Sequence, residues 1–193
     1  MNVLETLKSI SKESIARRYF LMNTFDGSLT ILGIILALHL AGASEAKIYI
    51  ISCVGAAIAM GVSGVWGAYA AEKAERVREM KSLEKHVLRD LEGTRVERRL
   101  NRIVVLVALV DGASPLLAAL IIISPYMISQ LGLIGELQAF TGAIAIEIII
   151  LFGLGFTAGS ISEEDRISNG LKMLGAGILV GVITILLEAV RVI

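Results

Sequence analysis

Cysteine, histidine, proline and aromatic residues are all scarce in this 193-residue chain, which has one Cys, two His, two Pro and 5% aromatics. A single thiol, Cys53, excludes a disulfide framework, and with only His39 and His86 beside it there is no Cys or His cluster of the kind zinc requires. The chain also lacks a phosphate-cradling glycine loop and any Ser/His/Asp or Cys/His constellation at usable spacing, so it does not read as an enzyme. Its 18 basic and 18 acidic residues cancel, leaving no bulk field to draw nucleic acid. Proline only at positions 115 and 125 favours long helices. The alternating ten-residue segments of a membrane barrel are missing.

What is present is apolar: 55% hydrophobic residues and a mean hydropathy of +0.78, outside the usual range of soluble domains. A spanning helix takes about 20 mostly apolar residues. Five stretches qualify, residues 19–43, 48–70, 103–128, 137–158 and 171–190. The expected fold is therefore all-α: a polytopic membrane protein of five transmembrane helices, with a cytoplasmic helical insert between the second and third. Residues 1–18 read as an amphipathic surface helix, 19–70 as the first two spans, 71–102 as the charged insert and 103–193 as the last three spans.

Orientation follows from where the cations sit. Lys8, Lys12, Arg17 and Arg18 precede the first span, ten Lys or Arg fall in the insert, and Arg166 and Lys172 follow the fourth span; the opposite side receives Lys47 and Arg191. The positive-inside rule then puts the N-terminus in the cytoplasm and the C-terminus outside, in what reads as a prokaryotic cell membrane.

Charge inside the spans is the functional signal. Phe25-Asp26-Gly27 places a carboxylate in span one, and Val110-Asp111-Gly112 repeats the step in span three. Glu147 lies in the middle of span four. An ionised acid in hydrocarbon is costly and marks an ion or substrate path by default. The structural alternative for Asp111 is a Pro115 kink with the acid held by Asn, Ser or Thr of a neighbouring helix. Glu147 either sits protonated and hydrogen-bonded or exchanges a proton during transport.

On a helical projection, Asn23, Asp26, Thr30, Gly33, Ala37 and Ala41 form one polar and small stripe that should face protein or water. His39 lies off it, as a packing or interfacial histidine or a proton relay. Span two carries Ser52, Ala56, Ala59, Ser63, Gly67 and Ala70 on one face, a pattern suited to close helix packing, with Met60 at its edge as gap filler or soft ligand. In the insert, Glu72, Glu75 and Glu79 share a stripe. Such carboxylates can converge on a cation, or can pair with Arg76 on a solvated helix. Span five aligns Gly170, Gly177, Gly181 and Glu188, and Gly177 to Gly181 is a GxxxG step.

The chain resembles the vacuolar iron transporter family. The matching pieces are Asn23-Thr24-Phe25-Asp26-Gly27, the small-residue helix around Ala59-Met60 that runs on to Glu72 and Glu75, Ser124-Pro125-Tyr126, and Asn169-Gly170-Leu171-Lys172-Met173 before the glycine-rich last span. The resemblance implies five spans and a homodimer that exchanges ferrous iron, and often manganese, for protons. It implies further that Asp26 and Met60 line the path at the dimer axis, and that Glu72, Glu75 and Glu79 gather metal. The insert is shorter than the family's, Ala68 stands where the family has a glutamate, and Asp111 is an addition.

A carboxylate with a thioether suits a borderline ion such as ferrous iron better than magnesium or calcium. Because acids bind metal only when deprotonated, metal and proton would share a site, which is how exchange couples. The path so read comprises Asp26, Met60, Asp111 and Glu147, with no resident cofactor. The partners are the divalent ion, protons, lipid and a second copy. Two other readings stand beside it: a transporter of another solute on the same scaffold, and a membrane scaffold in which the Asp-Gly steps only fasten helices.

Overall fold

The computed structural model describes residues 12–88 and 93–190, and every regular element among them is an α-helix. In chain order these are α1 (Lys12–Leu40), α2 (Ala46–Val87), α3 (Arg95–Ile122), α4 (Ser124–Gln130), α5 (Glu136–Ser162) and α6 (Arg166–Ala189). All but α4 are long and apolar enough to cross a membrane, so the all-helical, five-span expectation holds. Most of the N-terminal amphipathic helix expected over residues 1–18 lies outside the described residues, as do Asp90 and Glu92 of the insert.

Helix ends follow local chemistry. α1 stops because Gly42 takes a left-handed φ of +75°, which turns the Ala43 N–H back to the Leu38 carbonyl at 3.0 Å. This is the glycine C-cap that satisfies otherwise orphaned carbonyls. α6 starts at Asp165, whose carboxylate accepts the Ser168 N–H at 2.9 Å. The acidic turn Glu163-Glu164-Asp165 thus supplies the cap.

The charged segment after residue 70 begins as a continuation of span two: α2 is one 42-residue helix with no break at residue 70. At 1.5 Å per residue it is about 63 Å long, roughly twice a bilayer's hydrocarbon thickness. Among the described residues of 71–102, those up to Val87 are the far end of α2 and those from Arg95 on the first turns of α3. One expected boundary is corrected: span three ends earlier than expected, at Ile122, with α4 starting afresh at Ser124. Pro125 has no N–H for the Ile121 carbonyl, and the Ser124 hydroxyl donates to that carbonyl instead at 2.7 Å. Pro115, by contrast, is carried inside α3.

The described residues form two compact units, one comprising those up to Asn23 with Gly61–Ser114, the other Thr24–Met60 with those from Pro115 on. In the first, Ala68, Val104, Val107 and Ala108 are buried. In the second, Ile31, Ile35, Cys53, Ile122 and Ala143 build the core, and Tyr49 stacks on Tyr126 at 4.3 Å between ring centroids. His39 packs against Phe140, the rings 3.9 Å apart and nearly parallel. The α5–α6 hairpin is held close by glycine: a Cβ on Gly155 would lie 2.3 Å from the Asn169 carbonyl oxygen.

Both stripes projected from the sequence turn out to be divided, with Asn23, Gly33, Ala37, Ser52 and Ala56 half-buried and the other members exposed. On α1 the buried positions are Thr24, Gly27, Ser28, Ile31, Leu32 and Ile35, whereas Asp26, Thr30 and Ala41 are exposed. On α2 the buried positions step by four through Tyr49, Cys53, Ala57 and Gly61, and Ala59, Ser63, Gly67 and Ala70 are exposed. On α2 small residues thus lie on both faces, and bulky Ile51, Ile58, Val62 and Trp66 are exposed, as suits a lipid-facing helix whose inward contacts rest on close packing.

Candidate functional site

In the first unit, a polar ladder runs along α1. Asp111 on α3 is only 5% exposed. Its carboxylate accepts a hydrogen bond from the Asn23 side-chain amide, which also donates to the Tyr19 carbonyl at 3.1 Å. One turn back, the Tyr19 hydroxyl donates to Glu72 at 3.2 Å. Glu72, 7% exposed, takes an Arg76 Nη2–H at 2.9 Å, and Arg76 Nη1 reaches Glu79 at 2.6 Å.

Backbone proximity fixes where Asp111 sits. A Cβ on Gly112 would lie 2.5 Å from the Gly61 carbonyl oxygen and 2.3 Å from Val65 Cγ2, so α2 and α3 meet there backbone to backbone. Asp111 Oδ2 lies over Gly64, 3.0 Å from where that residue's Cβ would be. The acid is thus held at a helix crossing by an asparagine of a neighbouring helix. This arrangement belongs to the structural alternative for Asp111.

The glutamate stripe does not converge. Glu72 and Glu79 flank Arg76 at the i, i+4 and i, i+3 spacings that favour ion pairs on one helix, and Glu75 is exposed. Among the described residues no three His, Cys, Asp or Glu side chains are grouped so that they could hold a metal ion. The expected set of Glu72, Glu75 and Glu79 is therefore not a preformed cage within one chain.

The second unit holds the other acids. Gly27 is pressed against Pro115, a Cβ there falling 2.8 Å from the proline Cα, so this side of α1 faces inward. Asp26, one residue earlier, is exposed, and the Thr30 hydroxyl on the same face donates to the Asp26 backbone carbonyl at 2.8 Å. Met60 is half-buried against the core cluster. Glu147 on α5 is 2% exposed, and neither carboxylate oxygen has a hydrogen-bond partner. Its polar neighbour is Ser28, whose own hydroxyl donates to the Phe25 carbonyl at 3.1 Å.

The two Asp-Gly steps thus have opposite fates: each glycine fills a helix contact, but Asp111 is turned in and Asp26 out. Sequence reasoning missed Tyr19 and Ser28. Tyr19 lies four residues before Asn23 and so on the same helical face, a signal that was available. Ser28 lies two residues after Asp26 and between Thr24 and Thr30, and nothing in that pattern singles it out.

No family model matches the sequence. The chain is 31% identical over 185 residues to the uncharacterized protein MJ0645 of Methanocaldococcus jannaschii, a match covering 94% of this chain and 93% of that protein.

Proposed function

We propose that this chain, which belongs to the same family as that archaeal protein, is a proton-coupled transporter that exports or sequesters a divalent transition metal, ferrous iron or manganese, and that it works as a membrane homodimer. The observation that carries the reading is Asp26. It lies near the middle of a 26-residue apolar span, is exposed, and its carboxylate has no hydrogen bond or ion pair among the described residues. A carboxylate facing hydrocarbon costs about 2.5–3.5 kcal/mol even on the mildest insertion scale. Covering that face with a second copy takes it out of lipid, and a two-fold axis passing beside Asp26 would set it against its symmetry mate, where a cation offsets the two charges.

Two carboxylates on such an axis form a hard anionic site that a divalent cation neutralises. The exposed small residues of α2, Ala59, Ser63, Gly67 and Ala70, support close approach of another helix. Met60 adds a thioether in this reading on the strength of the family resemblance. Glu147, buried within its span, is the acid that carries the exchanged proton in this reading. The distribution of Lys and Arg supports a cytoplasmic N-terminus, with metal gathered from that side.

Proteoliposomes loaded with a metal-sensing dye test the proposal. Ferrous iron or manganese should move under a proton gradient in the native protein and not in Asp26→Asn, and absence of flux in both ends the reading. A second reading, a membrane scaffold without transport, is favoured by one set of observations: Asn23 bonds Asp111, and Glu72 and Glu79 are taken up by Arg76. Transport of another solute is favoured by Ala68 and the short insert, and is scored by flux that persists in Asp26→Asn with metals absent.

A further inference from the structure

α3 changes character at Arg102. From Ile103 on it is an apolar span, while the two turns before it carry Arg95, Arg98 and Arg102, three and four residues apart and all exposed. At that spacing the three arginines share one helical face, and exposed Val105, Leu106 and Leu109 continue the same face into the span. The opposite face is buried through Val104, Val107, Ala108 and Asp111. The arginine face is thus the one turned away from the core, and its continuation is apolar and uncovered. It meets lipid at the depth where hydrocarbon gives way to water.

The stability of the helix does not account for this placement. Cations in a first turn oppose the helix dipole, so Arg95 and Arg98 do not strengthen α3. Glu97, in the same turn, lies on the side that α2 covers, where it lines a cavity with Tyr69 and Lys73, and its carboxylate takes the Gly93 N–H at 2.7 Å. No carboxylate among the described residues pairs with any of the three arginines. Arg98 reaches only the backbone carbonyls of Thr94 and Gly93, each at 3.5 Å, which is long for such a bond and leaves most of its five donors free. Orientation in the membrane needs cations on one side but is indifferent to the helical face that bears them. What sets these three apart is their confinement to the lipid-facing stripe.

We infer that Arg98 and Arg102 clamp the phosphate of an anionic phospholipid whose acyl chain lies along Val105, Leu106 and Leu109, with Arg95 adding to the field from the aqueous edge. Residues four apart on a helix lie about 6 Å from each other, close enough for two guanidinium forks to share one phosphate group. Arg95 stands about 10 Å beyond Arg102 along the axis, past a headgroup layer of about 5–7 Å, so the contact falls to the other two. A soluble phosphate would use the arginines but not the apolar continuation of their face, and a lipid uses both. The site is separate from the proposed metal path and does not depend on it.

Native mass spectrometry of the full chain in detergent micelles tests this, with phosphatidylglycerol titrated against phosphatidylcholine, whose choline offsets its phosphate charge. The first phosphatidylglycerol should bind about 25-fold more tightly than the first phosphatidylcholine, about fivefold for each clamping arginine. Arg98→Gln combined with Arg102→Gln should lose that preference. Arg98→Lys combined with Arg102→Lys should fall between, since the charge stays and the planar fork goes. Arg78→Gln combined with Lys81→Gln removes the same charge from exposed positions on α2 and should leave the preference at the native level. Glycerol phosphate, a headgroup without chains, should fail to displace bound phosphatidylglycerol at equal concentration. Equal binding of the two lipids by the native protein overturns the inference. So does a preference that survives the double glutamine variant on α3 or falls equally in the α2 control, and so does displacement by glycerol phosphate.

Discussion

Gly112→Ala puts the geometry around Asp111 to a quantitative test. The added methyl would lie 2.3 Å from Val65 Cγ2 and 2.5 Å from the Gly61 carbonyl oxygen. The valine can rotate, but the carbonyl belongs to the backbone of α2 and cannot move without the helix. Overpacking typically costs about 1–3 kcal/mol, and a backbone obstruction puts this case near 3. Separating the helices also loosens the Asn23–Asp111 hydrogen bond, at about 1 kcal/mol or more. Alanine returns about 1 kcal/mol of helix propensity. The net expectation is a loss of about 3 kcal/mol. Equilibrium unfolding in mixed detergent micelles, followed by Trp66 fluorescence, reads it directly, since Trp66 adjoins Val65. Gly153→Ala is the control, because a Cβ there meets nothing within 4 Å and should add up to about 1 kcal/mol. If the two variants shift the transition alike, the close α2–α3 crossing is wrong and so is the placement of Asp111 built on it.

Asp26→Asn should abolish metal flux in dye-loaded proteoliposomes; retained flux refutes its role. A double-mutant cycle of Asn23→Ala with Asp111→Ala should show a coupling of about 1–3 kcal/mol, and additive losses would show that the bond contributes nothing. Glu147→Gln tests the proton-carrying role proposed for this buried acid. The same variant should remove the dependence of flux on a proton gradient, measured at fixed metal concentration, and gradient-driven flux at the native level would exclude Glu147 as the carrier.

The helices were legible because hydropathy runs of spanning length have few other outcomes in a chain with two prolines. The ends were legible where one residue decides them, as Gly42 does, and misjudged where a proline can act in either of two ways. Pro115 is absorbed into α3 while Pro125 separates α4 from it, and nothing in the composition around the two distinguishes them. Burial was the harder matter. Projection onto a helix finds a polar stripe but does not say whether it faces the chain's own core. In α1 the stripe divides, Asn23 bonding inward to Asp111 while Asp26 and Thr30 are exposed, and in α2 small residues occupy both the buried and the exposed face. The glutamates were legible as a stripe and as pairing partners of Arg76, and the second outcome is the one observed for Glu72 and Glu79.

The intramembrane acids differ in a way that bears on transport. A site that binds and releases an ion must offer a carboxylate that is accessible at some stage and not already satisfied. Asp111 is bonded to Asn23 and wedged over Gly64, so an ion arriving there would have to displace an amide at a crossing that has little room to open. Asp26 has the accessibility and lacks a partner of its own. Glu147 is closed off from solvent, with Ser28 as its polar neighbour. Under the proposed transport reading these environments would divide the work among residues that look alike in sequence: cation binding at Asp26, proton carriage at Glu147, and helix fastening at Asp111. If Asp111→Asn were to stop metal flux while leaving unfolding unchanged, this division would fail, because an asparagine can still hydrogen-bond Asn23 and keep the helices fastened.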